Sequence, residues 1–167
     1  MASGARQIQV TLPDGTSRRV PEGTAAGDAL TGPGGSLPRE VLAVWVNGVP
    51  TDLATALRED ASLEPITFES PLGKEVYRHS STHIMAQAVK ELFPSAQLAI
   101  GPAIEEGFYY DFGFERPFTP DDLEKIEARV HDIQKANHPF KRMEMPRQEA
   151  IRFFRERGEK YKVEILE

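Results

Sequence analysis

The sequence contains no cysteine and no long hydrophobic run. Without cysteine the chain forms no disulfide bond and no thiolate metal site, which fits the reducing cytoplasm. No stretch approaches the roughly 18 apolar residues that a membrane-spanning helix needs, and the N-terminal residues show no signal-peptide pattern. We therefore expect a cytoplasmic protein with no membrane partner.

An excess of positive charge is also missing. The 167 residues carry a formal charge of −6, with 20 basic and 26 acidic side chains. Nonspecific binding to nucleic acid or to an anionic membrane rewards a basic surface, so any contact with RNA must be local. The sequence does have a hydrophobic content of 40%, which is enough to form the core of one or two small domains.

Residues 1–70 have the pattern of a small domain with several strands. IQVTL alternates between apolar and polar residues, PDG supplies turn residues and TSRRV follows, which is typical of a β-hairpin. TAAGDAL predicts a short helix, VLAVWVNG a buried strand, LATAL one or two helical turns and SLEPITF a last strand. Pro65 lacks a backbone donor and so predicts an edge position for that strand. Strands with one crossing helix favour a ubiquitin-like β-grasp fold.

Residues 71–167 form a second predicted domain, which begins where proline and glycine interrupt the strand pattern. Its first helix is expected over about residues 72–93, and QLAIGPAIEEGFYYDFGF predicts two strands. Thr119 and Pro120 predict the N-cap and first residue of another helix. The fold class is therefore α+β, with a long helix packed on an antiparallel sheet.

The last 27 residues predict a strand, a helix and a strand. KRMEMP is expected to be extended, RQEAIRFFRERG to form a helix that stops at Gly158, and YKVEILE to form the final strand. Because the chain ends within that predicted strand, we expect it to be a piece of a longer protein.

His79 and His83 lie four residues apart in the helix predicted over residues 72–93. On a helical projection both lie beside Lys90 and nearly opposite the centre of an apolar stripe. They then either belong to a solvated face or line a cleft, where two imidazoles can share a metal, a water or a substrate group. A zinc-binding HExxH helix has a glutamate directly after its first histidine, where this sequence has Ser80. The general base of such a metallopeptidase is therefore missing here. The predicted stripe comprises Tyr77, Ser81, Ile84, Met85, Ala88 and Leu92.

Several segments carry a resemblance to a known family. RHSSTH, AIGPAIEEGFYYDF and RGEKYKVEIL resemble segments that occur, in this order and at similar spacing, in the N-terminal region of threonyl-tRNA synthetases. IQVTLPDGT and VNGVPTDLATAL resemble the TGS domain that precedes them, a β-grasp module. The resemblance covers essentially the whole chain. It implies a TGS domain over residues 1–70 and the N-terminal part of a tRNA editing domain over residues 71–167.

The editing domain of that family hydrolyses serine mistakenly attached to threonine tRNA. Serine lacks one methyl group of threonine, and such a difference gives only about 1–3 kcal/mol of discrimination, so a second, hydrolytic site is required. The resemblance implies His79, His83, Tyr110 and Lys162 as catalytic residues of this site. A histidine would orient or deprotonate water, Lys162 would hold a phosphate or stabilise an oxyanion, and Tyr110 would donate a hydrogen bond to the substrate or the terminal ribose.

On the residues alone, simpler interpretations stay open for two of these side chains. Tyr110 can simply pack in a sheet, and Lys162 can be a solvated charge on a strand.

The family pattern is incomplete in this sequence. The later CxxxH segment of the editing site, the class II catalytic core and the anticodon-binding domain do not occur in it. The resemblance therefore implies no cofactor for this chain, because ATP, magnesium and zinc are expected only in the catalytic core. We expect no aminoacylation and little deacylation from the chain alone. The implied partner is the 3′ end of tRNA(Thr) in a full-length, homodimeric enzyme.

Two other functions stay open. One is a free-standing TGS-containing module that binds RNA or a protein and has no catalytic activity. Local basic groups favour an RNA contact, but the glutamates among them, including Glu159, are as typical of a solvated helix face. The other is a metal-dependent hydrolase related to alanyl-type editing proteins, which would need further ligands. The basic groups are Lys141, Arg142, Arg147, Arg152, Arg155 and Arg157.

Overall fold

The computed structural model describes residues 6–167, so the first five residues of the predicted first domain lie outside the described part. Within it the chain forms nine strands and five helices. The chain divides into two compact units, one ending at Tyr77 and the other beginning at Arg78. The division falls inside a helix that begins at Pro71, and the domain boundary at residue 70 stays a prediction.

The first unit contains a five-stranded sheet and one short helix. The strand order is β2-β1-β5-β3-β4, in which β1 and β5 are parallel and the other neighbours are antiparallel. Apolar side chains from the strands and from the helix form its core, including Ile8, Val10 and Val44. The elements are β1 (Gln7–Thr11), β2 (Ser17–Pro21), α1 (Ala26–Thr31), β3 (Val41–Val46), β4 (Val49–Thr51) and β5 (Ala61–Thr67).

The edge position predicted for the last strand is wrong, because β5 lies in the middle of the sheet. β1 pairs only with Ala61 and Ser62, at the start of β5. At Pro65 the sole strand neighbour is therefore β3, through Val44. A proline is tolerated there because no bond toward β1 is required at that position.

The helical turns predicted for LATAL are also absent from the structure, which has turns and one isolated bridge over residues 53–57. Backbone groups of this segment bond to the residues around the start of α1 instead of to one another. Thr55 accepts from Ala26 at 2.9 Å, and Leu57 donates to Thr24 at 2.9 Å. These distant partners satisfy the polar backbone groups that a local helix would otherwise satisfy.

The second unit is built mainly from helices, with four two-residue strands in two antiparallel pairs. A core of small and branched side chains joins its two longest helices, and aromatic side chains of residues 93–118 pack against that core. The elements are α2 (Pro71–Leu92), β6 (Gln97–Leu98), β7 (Ala103–Ile104), β8 (Gly107–Phe108), β9 (Phe112–Gly113), α3 (Pro120–Ala136), α4 (Arg147–Glu156) and α5 (Lys160–Leu166).

The structure confirms three predicted helices. α2 and α4 match their predicted spans closely, and Gly158 follows α4 with a positive φ of 68°, a conformation that ends helices readily. α3 begins with a complete capping box. The Thr119 hydroxyl accepts from the Asp122 amide at 3.3 Å, and the Asp122 carboxylate accepts from the Thr119 amide at 2.9 Å.

The strand predictions of this unit fail in three places. QLAIGPAIEEGFYYDFGF forms four short strands instead of two, so α2 does not pack on a broad antiparallel sheet. KRMEMP has no strand, and YKVEILE forms α5. α5 is closed at its far end by Arg147, whose guanidinium donates to the carbonyl oxygens of Leu166 and Glu167. These bonds satisfy terminal helix acceptors that otherwise lack partners.

The apolar stripe predicted for α2 has the wrong extent. Tyr77 and Leu92 are 50% and 37% exposed, although the predicted stripe includes both. Thr82, Ala86 and Val89 are buried instead. The buried arc therefore reaches round the helix to Ala86, and the histidines lie at its border.

Within residues 6–167, none of the helices combines the length and the apolar character needed to cross a bilayer.

Candidate functional site

The site begins with the histidine pair on α2. One helical turn separates His79 from His83, and their Nε2 atoms lie 3.0 Å apart. The rings meet edge to face, with centroids 4.7 Å apart. At that distance one Nε2 atom donates a hydrogen bond and the other accepts it. The accepting Nε2 atom carries no proton, so at least one of the two imidazoles is neutral. Both side chains remain accessible to solvent.

The surroundings keep His83 in its neutral form. Desolvation lowers the pKa of this imidazole below the ordinary value of 6.5, and the nearby charges of His79 and Lys162 lower the pKa further. A neutral imidazole near physiological pH can accept a proton from water. The structure therefore brings three of the four predicted side chains into one electrostatic environment.

Lys162 reaches this environment from α5. Its ammonium donates to the carbonyl oxygen of Ala99 at 3.0 Å, and its side chain is half-buried. The interpretation of Lys162 as a solvated strand charge is wrong, since the residue lies in a helix and has a backbone partner. One bond leaves two further donors on the ammonium.

Tyr110 lies beside the same strand segments. The backbone amide of Ala99 donates to the carbonyl oxygen of Asp111 at 3.0 Å. Ala99, whose own carbonyl oxygen binds Lys162, is therefore paired with the residue that follows Tyr110. The ring stacks on Phe112 and passes so close to Gly101 that a Cβ atom there would lie 2.2 Å from it. Burial raises the pKa of the phenol and the Glu159 carboxylate raises it further, so Tyr110 keeps its proton and can donate it in a hydrogen bond.

Lys90 and Glu159 complete the group, and the interpretation of Glu159 as part of a solvated face is wrong. The Lys90 ammonium lies 2.9 Å from the Glu159 carboxylate, and Glu159 is buried. Lys90 follows His83 by seven residues, which is two turns, so both project from one face of α2. Two features of the sequence could have indicated these residues: the spacing of seven between His83 and Lys90, and the position of Glu159 directly after Gly158, where α4 has ended.

Within the described part of the chain, the histidine pair has no complete set of metal ligands around it. Among residues 6–167, no group of three or more histidine, cysteine, aspartate or glutamate side chains has the arrangement to hold a metal ion.

The basic groups suggested for RNA contact are mostly engaged within the chain. Arg147 bonds to the end of α5, and Arg155 pairs with Glu167 at 2.8 Å. Arg142 pairs with Glu144, and Arg157 lies 3.5 Å from the centroid of the Phe153 ring. These contacts support the interpretation of a solvated, internally paired face more than that of a phosphate-binding track.

Comparison with known proteins identifies relatives of the whole chain. The threonine–tRNA ligase of Symbiobacterium thermophilum is 50% identical over 160 residues, which cover 96% of this chain and 25% of that protein. The threonine–tRNA ligases of Desulforamulus reducens and Chlorobium phaeobacteroides are 50% and 48% identical over 95% and 96% of this chain, again 25% of each relative. The chain is homologous to the N-terminal part of threonine–tRNA ligases. No protein-family model matches it.

The similarity to threonine–tRNA ligases extends through both compact units, because it leaves less than a twentieth of the chain uncovered in two of these relatives. The family suggested by the sequence motifs is thereby confirmed. The chain spans about a quarter of the length of the curated relatives it matches. The alternative of a free-standing binding module is not favoured.

Proposed function

We propose that this chain is the part of a threonine–tRNA ligase that contributes to hydrolytic editing of Ser-tRNA(Thr). It would comprise a TGS domain of the β-grasp type and the N-terminal part of the editing domain. The observation that carries the proposal is the pair of imidazoles, 3.0 Å apart, together with a lysine whose charge acts on His83. The tRNA partner follows from the name of the relatives, and the editing role from the resemblance of RHSSTH, AIGPAIEEGFYYDF and RGEKYKVEIL to segments of the family.

The strand order supports the assignment of the first unit. A mixed sheet of order β2-β1-β5-β3-β4, with a parallel central pair and a helix between β2 and β3 in the chain, is the arrangement of ubiquitin-like β-grasp domains.

The chemistry proposed is the hydrolysis of an ester at the tRNA 3′ end. Neutral His83, oriented by His79, takes a proton from water as the water oxygen attacks the seryl carbonyl carbon. The bond between that carbon and the ribose oxygen then breaks, and the ribose oxygen takes up a proton. Lys162 stabilises the oxyanion by its charge, and Tyr110 donates a hydrogen bond to the substrate. Serine and tRNA with a free hydroxyl are the products.

A chimera tests the proposal. This chain replaces the matching quarter of the Symbiobacterium thermophilum ligase, which supplies the remaining three quarters of an active enzyme. We expect the chimera to deacylate Ser-tRNA(Thr), and His83→Ala to lower that rate about 10²- to 10⁴-fold, the contribution typical of a positioned acid or base. The rate of aminoacylation with threonine should stay within about twofold of the unsubstituted chimera. A general loss of folding would reduce both activities, so this result would assign the loss of deacylation to the site.

Glu91→Gln provides the matched control. Glu91 lies on the same helix and pairs with Arg129 on an exposed face. Its substitution should leave both activities unchanged. Deacylation that persists in His83→Ala, with normal aminoacylation, would overturn the proposal.

A further inference from the structure

The ion pair between Lys90 and Glu159 joins α2 to the start of α5. The two side chains are 30% and 11% exposed, and the ammonium lies 2.9 Å from Oε1. Lys90 also donates to the carbonyl oxygen of Ala96 at 2.9 Å, just beyond the end of α2. Glu159 therefore meets a cation that is already held in place.

Glu159 is also the residue from which α5 begins. Its carbonyl oxygen accepts from the amides of Lys162 and Val163, both at 3.1 Å. Its side chain makes no capping bond to α5 and reaches α2 instead. Lys162 follows Glu159 by three residues and donates to the carbonyl oxygen of Ala99, three positions beyond the Ala96 carbonyl that Lys90 binds. The contact between Glu159 and Lys90 therefore holds the first turn of α5, and with it the direction in which the Lys162 side chain extends from that helix.

The ion pair is poorly suited to serve stability alone. Removing two charges from water has a large desolvation cost, and replacing such pairs by apolar side chains is often neutral or stabilising. The second carboxylate oxygen of Glu159 is buried and has no hydrogen-bond partner among the described residues, which adds to that cost. An ion pair with this desolvation cost is better explained by the positions in which it holds the neighbouring residues.

We propose that Lys90 and Glu159 are positioning residues of the histidine site. Their ion pair holds the start of α5 on α2 and so keeps the Lys162 ammonium beside His83. Neither residue needs to touch the reacting atoms. The reaction that this placement serves rests on the editing function proposed above, whereas the placement rests on the contacts of Lys90, Glu159 and Lys162 and on the Lys162 charge that acts on His83.

The test uses the 167-residue chain and three measurements. Hydrogen exchange of the α5 amides reports whether α5 stays on α2, and NMR titration of His83 reports whether Lys162 stays near it. The third measurement is binding of a probe, adenosine that carries L-serine through a 3′-amide and cannot be hydrolysed. The variants are Lys90→Met and Glu159→Gln, with the conservative Lys90→Arg as the rescue and Glu91→Gln as the control.

We expect Lys90→Met to make the α5 amides exchange about tenfold faster or more, while α3 amides keep their protection. The titration midpoint of His83 should rise toward 6.5 as the Lys162 charge moves away. Probe affinity should fall about tenfold, as expected when one charged contact is lost. Lys90→Arg should restore all three values, and Glu91→Gln should change none of them.

Protected α5 amides and an unchanged His83 titration in both Lys90→Met and Glu159→Gln would overturn the positioning role. Should Lys90→Met unfold the whole chain, Glu159→Gln decides alone, because the amide keeps the shape of the carboxylate and one hydrogen bond. If the unmodified chain fails to bind the probe while both variants release α5, the positioning role stands, and deacylation by the chimera described above decides the editing function.

Discussion

At the residue scale, His79 and His83 differ from ordinary surface histidines because their ring nitrogens meet each other. The direct contact at 3.0 Å orients both rings without a third side chain. Lys162 adds a charge that disfavours protonation of His83. The combination keeps an imidazole both accessible to solvent and neutral, which is the state that a general base requires.

This electrostatic arrangement predicts how His83 responds to loss of its neighbour. In Lys162→Met the pKa of His83 should rise but stay below 6.5, because desolvation, the largest cause of the lowered value, is retained. NMR titration of the imidazole signals measures this directly. Lys160→Met removes an exposed lysine two residues away and should leave the titration unchanged.

The same shift has a consequence for stability. In the unfolded chain His83 binds its proton at about 6.5, above its value in the folded chain, so the unfolded state gains a proton first as the pH falls. The free energy of unfolding should therefore decrease as the pH falls from 6.5 through the folded value. The decrease should be smaller in Lys162→Met, and an equal decrease in both proteins would contradict a role for that charge.

At the element scale, α3 shows how a short sequence signal determines a helix start. Thr119, Pro120 and Asp122 supply the cap, the fixed φ of the first residue and the reciprocal bond of a capping box. The Arg116 guanidinium and the Thr119 amide hold the pKa of the Asp122 carboxyl far below its usual range. The contribution of this carboxylate to stability is present above about pH 3.9 and is lost as the pH falls further.

We predict that Thr119→Ala lowers the free energy of unfolding by about 1 kcal/mol, the usual cost of losing an N-cap side chain. Chemical denaturation monitored by circular dichroism measures the change. Asp121→Asn is a suitable control, since this neighbour lies in the first turn of α3 and takes no part in the box. An unchanged free energy of unfolding in Thr119→Ala, or an equal loss in Asp121→Asn, would contradict a specific role for the cap.

α5 shows the opposite case, in which local sequence indicates the wrong element. YKVEIL alternates as a strand does, yet the segment is helical because contacts from elsewhere close both of its ends. Glu159 docks on Lys90 at the start, and Arg147 binds the last carbonyl groups. Helices this short draw their stability from such tertiary contacts more than from propensity.

At the scale of the whole molecule, the chain corresponds to a quarter of each relative that it matches. If the editing proposal holds, the site described above is one part of a larger constellation, because the CxxxH segment of the family pattern is not in this sequence. Residues that act as a unit lose function non-additively when some are removed.

We therefore predict that the 167-residue chain releases serine from Ser-tRNA(Thr) at close to the spontaneous rate. The intact Symbiobacterium thermophilum ligase, assayed in parallel, should be faster by orders of magnitude. Release of serine by the chain at the rate of the intact ligase would show that the described residues suffice for catalysis.

The sequence by itself determined the family, the helices α2, α3 and α4, and the proximity of His79 to His83. The helices and the histidine contact depend on residues close together in the chain, such as a cap, a glycine stop or a spacing of four within one helix, and the family was indicated by several short motifs along it. Periodicity and turn chemistry act over that range, so they can be deduced without coordinates.

Only the tertiary structure decided the central place of β5, the helical state of α5 and the burial of Glu159. Pro65 fits a central strand because β1 ends its pairing earlier, and Lys162 meets Ala99, which lies 63 positions before it in the chain. Lys90 and Glu159 meet over a comparable separation. Such partners are brought together by the packing of whole elements, and no local pattern of charge or hydrophobicity specifies them.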